Sequence, residues 1–271
     1  MTSLVFWNLN QCRKASLIAE LTDHYNVDIL ILAECVITPS VLLTELNKKT
    51  QQFYDYSPLS ICDKITIFTR FPHQLIQPRL ETDRLTIRHL TLPGLSDILI
   101  AAVHFPSKLH WNDASQFAES VNLSNIIRIA EKEVKHSRTI IVGDFNMNPF
   151  EAGMVSANGL HGVMTKQIAQ QRSRIVQKTE YPYFYNPMWS LMGDASPGQP
   201  GTFFYTKAEH ACYFWNMFDQ ILLRPDLLEC FDNRNLKIID TINGLSLLSM
   251  NGRPSRAIAS DHLPIYFELY L

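Results

Sequence analysis

The sequence predicts an α+β chain: two packed, mostly antiparallel β-sheets flanked by helices, a four-layer α/β sandwich. Three observations carry this. Short apolar, β-branched runs end abruptly in polar residues, and the first of them alternate with segments of helical periodicity. Between Phe53 and Val103 the runs become short strands separated by breakers, the pattern of an antiparallel stack. No internal repeat, low-complexity tract or Gly/Ser linker divides the chain, so residues 1–271 read as a single domain.

The elements follow in order. Leu4-Val-Phe-Trp7 is a first apolar strand and ends in Asn8-Leu-Asn10. From about Arg13 to Tyr25, Leu17, Ile18, Leu21 and Tyr25 stand at helical spacing. Asp28-Ile-Leu-Ile-Leu-Ala33 is a second strand that runs into Glu34. Thr38 is a good N-cap and Pro39 suits the first helical position, which predicts a helix from about Pro39 to Asn47. Strands are expected at Ile65–Phe68, Leu85–Leu90 and Ile98–Val103, with Pro72, Pro78 and Pro93-Gly94 as breakers.

After His104-Phe-Pro106 comes a long amphipathic stretch, Asp113 to Lys135. Phe117, Val121, Ile127, Ala130 and Val134 form its expected inner stripe. Thr139-Ile-Ile-Val142 reads as a buried strand that breaks into Gly143-Asp144-Phe145-Asn146. An acid and an amide two positions apart lie on one side of an extended chain and can hold a water, a metal or a phosphate. Taken alone, the same residues also read as a turn. Gln167 to Thr179 is polar. Tyr181 to Pro187 is aromatic and irregular, either a loop shaping a substrate cleft or a packing region. Tyr205 to Trp215 predicts a strand pair, with base stacking chemically open to its aromatic rings. Phe218-Asp219-Gln-Ile-Leu-Leu223 is a further strand, and Ser260-Asp261-His262 turns into a last one ending near Leu269.

Composition bounds the function classes. The chain is 46% hydrophobic and 18% charged, with a net charge of -2, which excludes a global basic field. A nucleic-acid partner would have to be held by a local groove or through a metal. The five cysteines are scattered and form no Cys-x-x-Cys pair, which disfavours a disulfide framework and a structural zinc site; most are expected to be buried small hydrophobes. The first residues carry no basic, apolar leader and no run is long enough to span a bilayer, so a cytoplasmic protein is expected.

Polar functional residues recur where apolar strands end or begin: Asn8 and Asn10, Glu34, His104, Asp144 and Asn146, Asp219, Asp261 and His262. If those ends meet at one edge of the sandwich, they form an oxygen-rich cluster with two histidines. Such ligands suit Mg²⁺, Mn²⁺ or Ca²⁺, and the lack of Cys in the set argues against zinc. Phosphodiester hydrolysis needs the same groups: a cation on the phosphoryl oxygens, an acid-base group for water, and orienting amides.

On these residues, and above all on Gly143-Asp144-Phe145-Asn146 and Ser260-Asp261-His262, the chain resembles the endonuclease/exonuclease/phosphatase superfamily of deoxyribonuclease- and exonuclease III-like metal-dependent phosphodiesterases, from Trp7 to His262. The resemblance implies in-line attack by an activated water, with Mg²⁺ or Mn²⁺ as cofactor. It makes Glu34 the principal metal ligand, with Asp261, Asn8 and Asn10 around the metal and phosphate. Many relatives carry Asp where Asn10 stands, so a second direct carboxylate is not implied there. Asp144 is implied to position the water, Asn146 to hold a phosphate oxygen, His262 to stand next to the scissile phosphate, and Asp219 to pair with His262. His104 resembles the second histidine of deoxyribonuclease-like members. An Asp63–His104 pair is one reading and a hairpin-turn acid at Asp63 the other. Ser107 is placed to donate to a phosphate oxygen, and Lys108 either adds charge there or is a solvated surface lysine. The remaining histidines, including His24, His110, His161 and His210, read as surface or structural. The implied substrate is DNA or RNA, with a small-molecule or lipid-headgroup phosphoester as the alternative.

Overall fold

The computed structural model describes residues 1–48, 53–57, 60–208 and 210–271. The first strand, β1 (Thr2–Asn8), leads through helix α1 (Ala15–His24) to β2 (Ile29–Ala33) and through α2 (Pro39–Leu46) to β3 (Asp55–Tyr56) and β4 (Ile65–Thr69). Then follow β5 (Ile76–Glu81), β6 (Leu85–Leu90), β7 (Ile98–His104), helix α3 (Asp113–Val134) and β8 (Thr139–Asp144). Six strands form one sheet: Lys237–Ile238, Ile265–Leu269, β1, β2, β4 and β3, in that order. Seven form the other: β5, β6, β7, β8, Asp219–Leu223, Phe184–Tyr185 and Gly162–Val163. Both sheets are mixed, with β1–β2, β7–β8 and Phe184–Tyr185 with Gly162–Val163 parallel and the other neighbours antiparallel.

Side chains of period two sort into three apolar layers, and these make the sandwich. Leu4, Phe6, Ile31, Ile100, Val142, Ile221 and Phe267 fill the space between the sheets. Their neighbours Val5, Trp7, Leu30 and Leu32 point the other way, onto Leu17, Ile18 and Leu21 of α1 and Leu42 of α2. Leu99, Ala101 and Ile141 meet Leu123, Ile127 and Ala130 of α3 on the far side. Strands buried on both faces must be apolar throughout, which is why β1, β2, β7 and β8 are continuous hydrophobic runs rather than alternating ones.

Several expectations are corrected. The buried face of α3 is Gln116, Ser120, Leu123, Ser124, Ile127 and Ala130, so Phe117, Val121 and Val134 are only half-buried. The first two turns of the inner stripe are polar because Gln116 has carbonyls to bond, as described below. Pro78 lies inside β5 at a register shift between Pro78 and Leu80; an edge strand tolerates a residue without an N–H. The polar stretch after Gln167 contains a hairpin, Ser173–Val176 with Thr179–Pro182. Tyr183, Phe184 and Tyr185 are buried, so that segment packs rather than shaping a cleft. Tyr205 to Trp215 is a strand pair as expected, Phe203–Tyr205 against Phe214–Asn216. Of the five cysteines only Cys62 is buried; the others are half-buried, and all five are free. Among the described residues, no helix is long and apolar enough to cross a membrane.

Candidate active site

The strand ends do meet. In the seven-stranded sheet, His104 is the register partner of Asp144, and Asp144 of Asp219, so three functional side chains stand in one row across three adjacent strands. The row depends on Gly143. A Cβ there would lie 2.0 Å from the Val103 carbonyl oxygen, so only glycine allows β8 this close to β7. In the other sheet β1 delivers Asn8, and β2 delivers Glu34 one residue beyond its end. Glu34 adopts the left-handed region (φ 49), as do Asn10 (φ 41) and Asn146 (φ 50). For a glutamate that conformation costs roughly 1–3 kcal/mol, and such strain gathers at functional sites.

Asn8, Asn10, Glu34, His104, Ser107, Asp144, Asn146, Asp261 and His262 all line one cleft of about 650 Å³. Asp219 lies behind His262 and is fully buried. Its Oδ2 accepts from His262 Nδ1 at 2.8 Å. Asp144 is held at both oxygens: Oδ1 accepts from the Asn146 N–H at 2.8 Å and Oδ2 from Asn8 Nδ2 at 2.9 Å. His262 Nε2 and His104 Nε2 each lie 3.9 Å from that same Oδ2. That is too long for a hydrogen bond and leaves the His262 nitrogen free for a ligand oxygen. His104 Nε2 also approaches Glu34 Oε1 at 3.2 Å. Asn10 Nδ2 donates to Asp261 Oδ1 at 2.5 Å and Arg256 Nη2 donates to Asn10 Oδ1 at 3.0 Å.

Burial opposes charge on His262, but the carboxylates of Asp219 and Asp144 outweigh it and push the imidazole up to about 10. Burial pushes the Asp144 carboxyl up, with Asp219 adding to it and the two imidazoles opposing. A carboxylate raised in this way is a better proton acceptor near neutral pH. The hydrogen bond from His104 holds Glu34 below the usual carboxylate range despite its partial burial.

Asp63 does not pair with His104. Its side chain is 72% exposed and its ion contact is Lys64 at 3.9 Å, while His104 Nδ1 is buried without a partner. Lys108 is bound to Glu151 and lies 3.5 Å from Asp113, so its charge is already engaged. Ser107 Oγ accepts from Leu109 N at 3.2 Å, which leaves its proton uncommitted. His110 is not merely surface, since it lines the cleft, whereas His161 is a structural histidine bonded by Arg174 Nε at 3.1 Å.

Several supporting residues had no assignment from sequence. Ser260 Oγ donates to the Asn8 carbonyl at 2.7 Å, and Trp7 Nε1 to the His262 carbonyl at 2.9 Å, which ties β1 to the Asp261-His262 turn. Asn148 Oδ1 accepts from Met217 N at 2.9 Å and so fixes the approach to Asp219. Gln116 is fully buried, and its Nε2 donates to the carbonyls of Pro106 and Asn146, each at 3.1 Å. Ser260 sits inside the Ser260-Asp261-His262 motif, and Asn148 lies two residues beyond Gly143-Asp144-Phe145-Asn146. Gln116 and Trp7 carry no such signal.

The donor set fits a hard divalent cation. Glu34 and Asp261 bring carboxylates to the cleft wall beside the Asn8 and Asn10 amides, and a set dominated by oxygen suits Mg²⁺ or Mn²⁺. Asp144, Asp219 and His262 also bring ligand atoms within 4.8 Å of one another. That trio is a poorer cation site, because Asp219 Oδ2 and His262 Nδ1 already bond each other.

Comparison with known proteins shows the family and the fold. Residues 5–262 match the family described as Endonuclease/Exonuclease/phosphatase family. No curated protein matches the chain. Among solved structures, the human Nocturnin catalytic domain with bound sulfate is similar with TM-score 0.57 at 18% identity, over 99% of this chain and 93% of that one. Truncated TDP2 of Caenorhabditis elegans gives TM-score 0.57 at 16% identity, covering 100% of this chain and 97% of that one. The 3' phosphatase NExo from Neisseria, bound to a product DNA hairpin, gives TM-score 0.56 at 14% identity, with 99% of each chain covered. At such identities the likeness is one of fold.

Proposed function

This chain belongs to the endonuclease/exonuclease/phosphatase family, and on that premise we propose that it is a divalent-metal-dependent nuclease that hydrolyses DNA or RNA by in-line attack of an activated water. The observation that carries the reading is the arrangement around Asp144 Oδ2: two imidazole nitrogens at 3.9 Å, an amide donor at 2.9 Å, and a second carboxylate locking one imidazole from behind.

The residues then divide the work. Asp144 accepts the proton of the attacking water; the Asn8 amide and the Asn146 N–H keep its oxygens from turning away. His262, kept cationic by Asp219, faces the non-bridging oxygens and stabilises charge as it develops on phosphorus. The Asn146 side chain, anchored by donating to the Phe105 carbonyl at 2.9 Å, keeps a second N–H for a phosphate oxygen. Ser107 supplies a hydroxyl on the same wall. His104, whose ring Glu34 orients, is assigned as the proton donor to the leaving oxygen. A divalent cation held by Glu34 and Asp261, with Asn8 and Asn10 beside it, would neutralise charge on the phosphoryl oxygens.

Arg256, with Lys64 and Arg84 in looser contact with Asp63 and Asp83 at 3.9 and 3.6 Å, gives the cleft wall the local cations that a polyanion needs at a net charge of -2. The DNA hairpin in NExo is in keeping with this substrate class. The second reading, a phosphatase or phosphodiesterase for a small-molecule or lipid-headgroup phosphoester, uses the same core and is favoured by the lack of a global basic field.

The test is incubation of the purified chain and Mg²⁺ with labelled single- and double-stranded DNA, RNA and a panel of soluble phosphoesters. Cleavage of a polynucleotide is the expected result. Turnover of a soluble phosphoester with intact polynucleotides would transfer the assignment to the second reading.

A further inference from the structure

We propose that Asn10 and Arg256 together limit the cleft to a single divalent cation, with the guanidinium standing where a second one would otherwise be drawn. The proposal rests on the metal-dependent reading above and adds the number of ions. Asn10 and Asp261 meet on the cleft wall, where Asn10 Nδ2 donates to Asp261 Oδ1 at 2.5 Å. A carboxylate in place of that amide has no proton to give. Two carboxylates so close repel each other unless a proton or a cation lies between them. The amide removes that demand and holds one oxygen of Asp261, which leaves Oδ2 for the ion proposed at Glu34 and Asp261.

Arg256 fixes which way the amide faces. Its Nη2 donates to Asn10 Oδ1 at 3.0 Å, so the amide oxygen is taken by the guanidinium and the NH₂ group is turned to Asp261. The arginine is exposed, yet its backbone is held. The turn over residues 255–259 is closed by Ile258 N and Ala259 N, which donate to the Ser255 carbonyl at 3.0 and 2.8 Å. Lys14 Nζ donates to the carbonyls of Ala257, at 3.3 Å, and Ile258. A second divalent ion beside Asp261 would have to share it with an amide nitrogen and a fixed positive charge. A hard cation needs oxygen ligands, and like charges repel, so both count against it. The ion at Glu34 and Asp261 has two carboxylates and does not face that deficit. Arg256 itself brings positive charge and further N–H donors to a phosphate oxygen, which is part of what a second ion would supply.

The experiment strips the full chain of metal and titrates it with Mn²⁺ to about 1 mM free ion, the weak end of built carboxylate sites. The free ion is counted by its electron paramagnetic resonance signal, so the readout is bound ions and not turnover. The parent should bind one Mn²⁺. Asn10→Asp should still bind one, because Arg256 counter-charges the introduced carboxylate. Asn10→Asp combined with Arg256→Gln should gain a second ion, since two carboxylates then face each other with no positive charge beside them. Two ions in the parent, or only one in the double variant with a near-native circular dichroism spectrum, overturns the proposal. A second ion in Asn10→Asp alone would show that Arg256 excludes nothing and overturns it as well. The parent count is decisive even if the double variant does not fold. One bound ion with every polynucleotide left intact would sink the nuclease reading and leave the limit standing. Two bound ions with a cleaved polynucleotide would do the reverse.

Discussion

Asp144 and Asp219 are register partners on adjacent antiparallel strands, and His262 reaches both: 2.8 Å from Nδ1 to Asp219 and 3.9 Å from Nε2 to Asp144. Two carboxylates side by side in a buried row repel each other, and the imidazolium between them offsets that repulsion. The three are one electrostatic unit, and removing any member changes the other two.

Asp219→Asn keeps the shape of that unit and removes its rear charge. The imidazole then loses its largest stabilising partner, and turnover should fall roughly 10²–10⁴-fold, the usual scale of acid–base catalysis. Steady-state kinetics on the substrate found in the panel would check it. Turnover within a factor of two of the parent would show that Asp219 does not act through His262.

Asp144→Asn and His262→Ala should each abolish hydrolysis with a near-native circular dichroism spectrum. Excess EDTA should do the same reversibly, with Mg²⁺ restoring the rate. Full turnover in excess chelator would remove the cation from the account.

Gln116→Leu tests a residue that touches no substrate. It strips the Pro106 and Asn146 carbonyls of their buried donor, which should cost about 1–3 kcal/mol of stability. Because Asn146 sits in the left-handed region, its side chain should also lose its position, so kcat falls while circular dichroism stays native-like. A variant with lowered melting temperature and unchanged kcat would make Gln116 a purely structural residue.

Gly143→Ala forces β7 and β8 apart, because the new methyl would meet the Val103 carbonyl. A loss of roughly 1–3 kcal/mol, the usual cost of overpacking, is expected in denaturant unfolding. Wild-type stability and activity together would contradict the role given to this glycine.

Away from the cleft, Glu81 and Arg88 form a buried pair at 2.8 Å, their side chains 7% and 5% exposed. Glu81→Ala should cost about 3–5 kcal/mol, since it leaves a buried guanidinium without its counter-charge. Burial alone would raise the Glu81 carboxyl. Bonds from Thr86, the Ile61 N–H and Ser60, with the charge of Arg88, instead hold it below its ordinary 4.5. Its contribution is therefore present above pH 4.5 and lost as pH falls through the lower folded value. Acid unfolding of the parent and of Glu81→Gln should diverge above that window and converge below it.

Much of this molecule is legible along the chain. Continuous apolar runs mark β1, β2, β7 and β8, and a period of 3.6 marks the three long helices, to within a residue or two. Of the residues that line the cleft, Asn8, Glu34, His104, Asp144 and His262 stand at or next to strand ends, where an apolar run meets an acid, an amide or a histidine. The errors have physical causes. Burial of α3 follows hydrogen-bond demand at Gln116 rather than hydrophobicity, and an edge strand accepts Pro78 where an interior one would not.

Which side chains are present to do the chemistry, and which stretches carry them, can be read along the chain, because apolar runs and helical periodicity are local properties. Which of them meet is a matter of packing and register. His104 faces Glu34 rather than Asp63, and Asn10 meets Asp261 across 251 positions of sequence. Those distances are set by the register of β7, β8 and Asp219–Leu223 and by the packing of one sheet on the other. Neither is encoded in the local propensity of any residue that takes part.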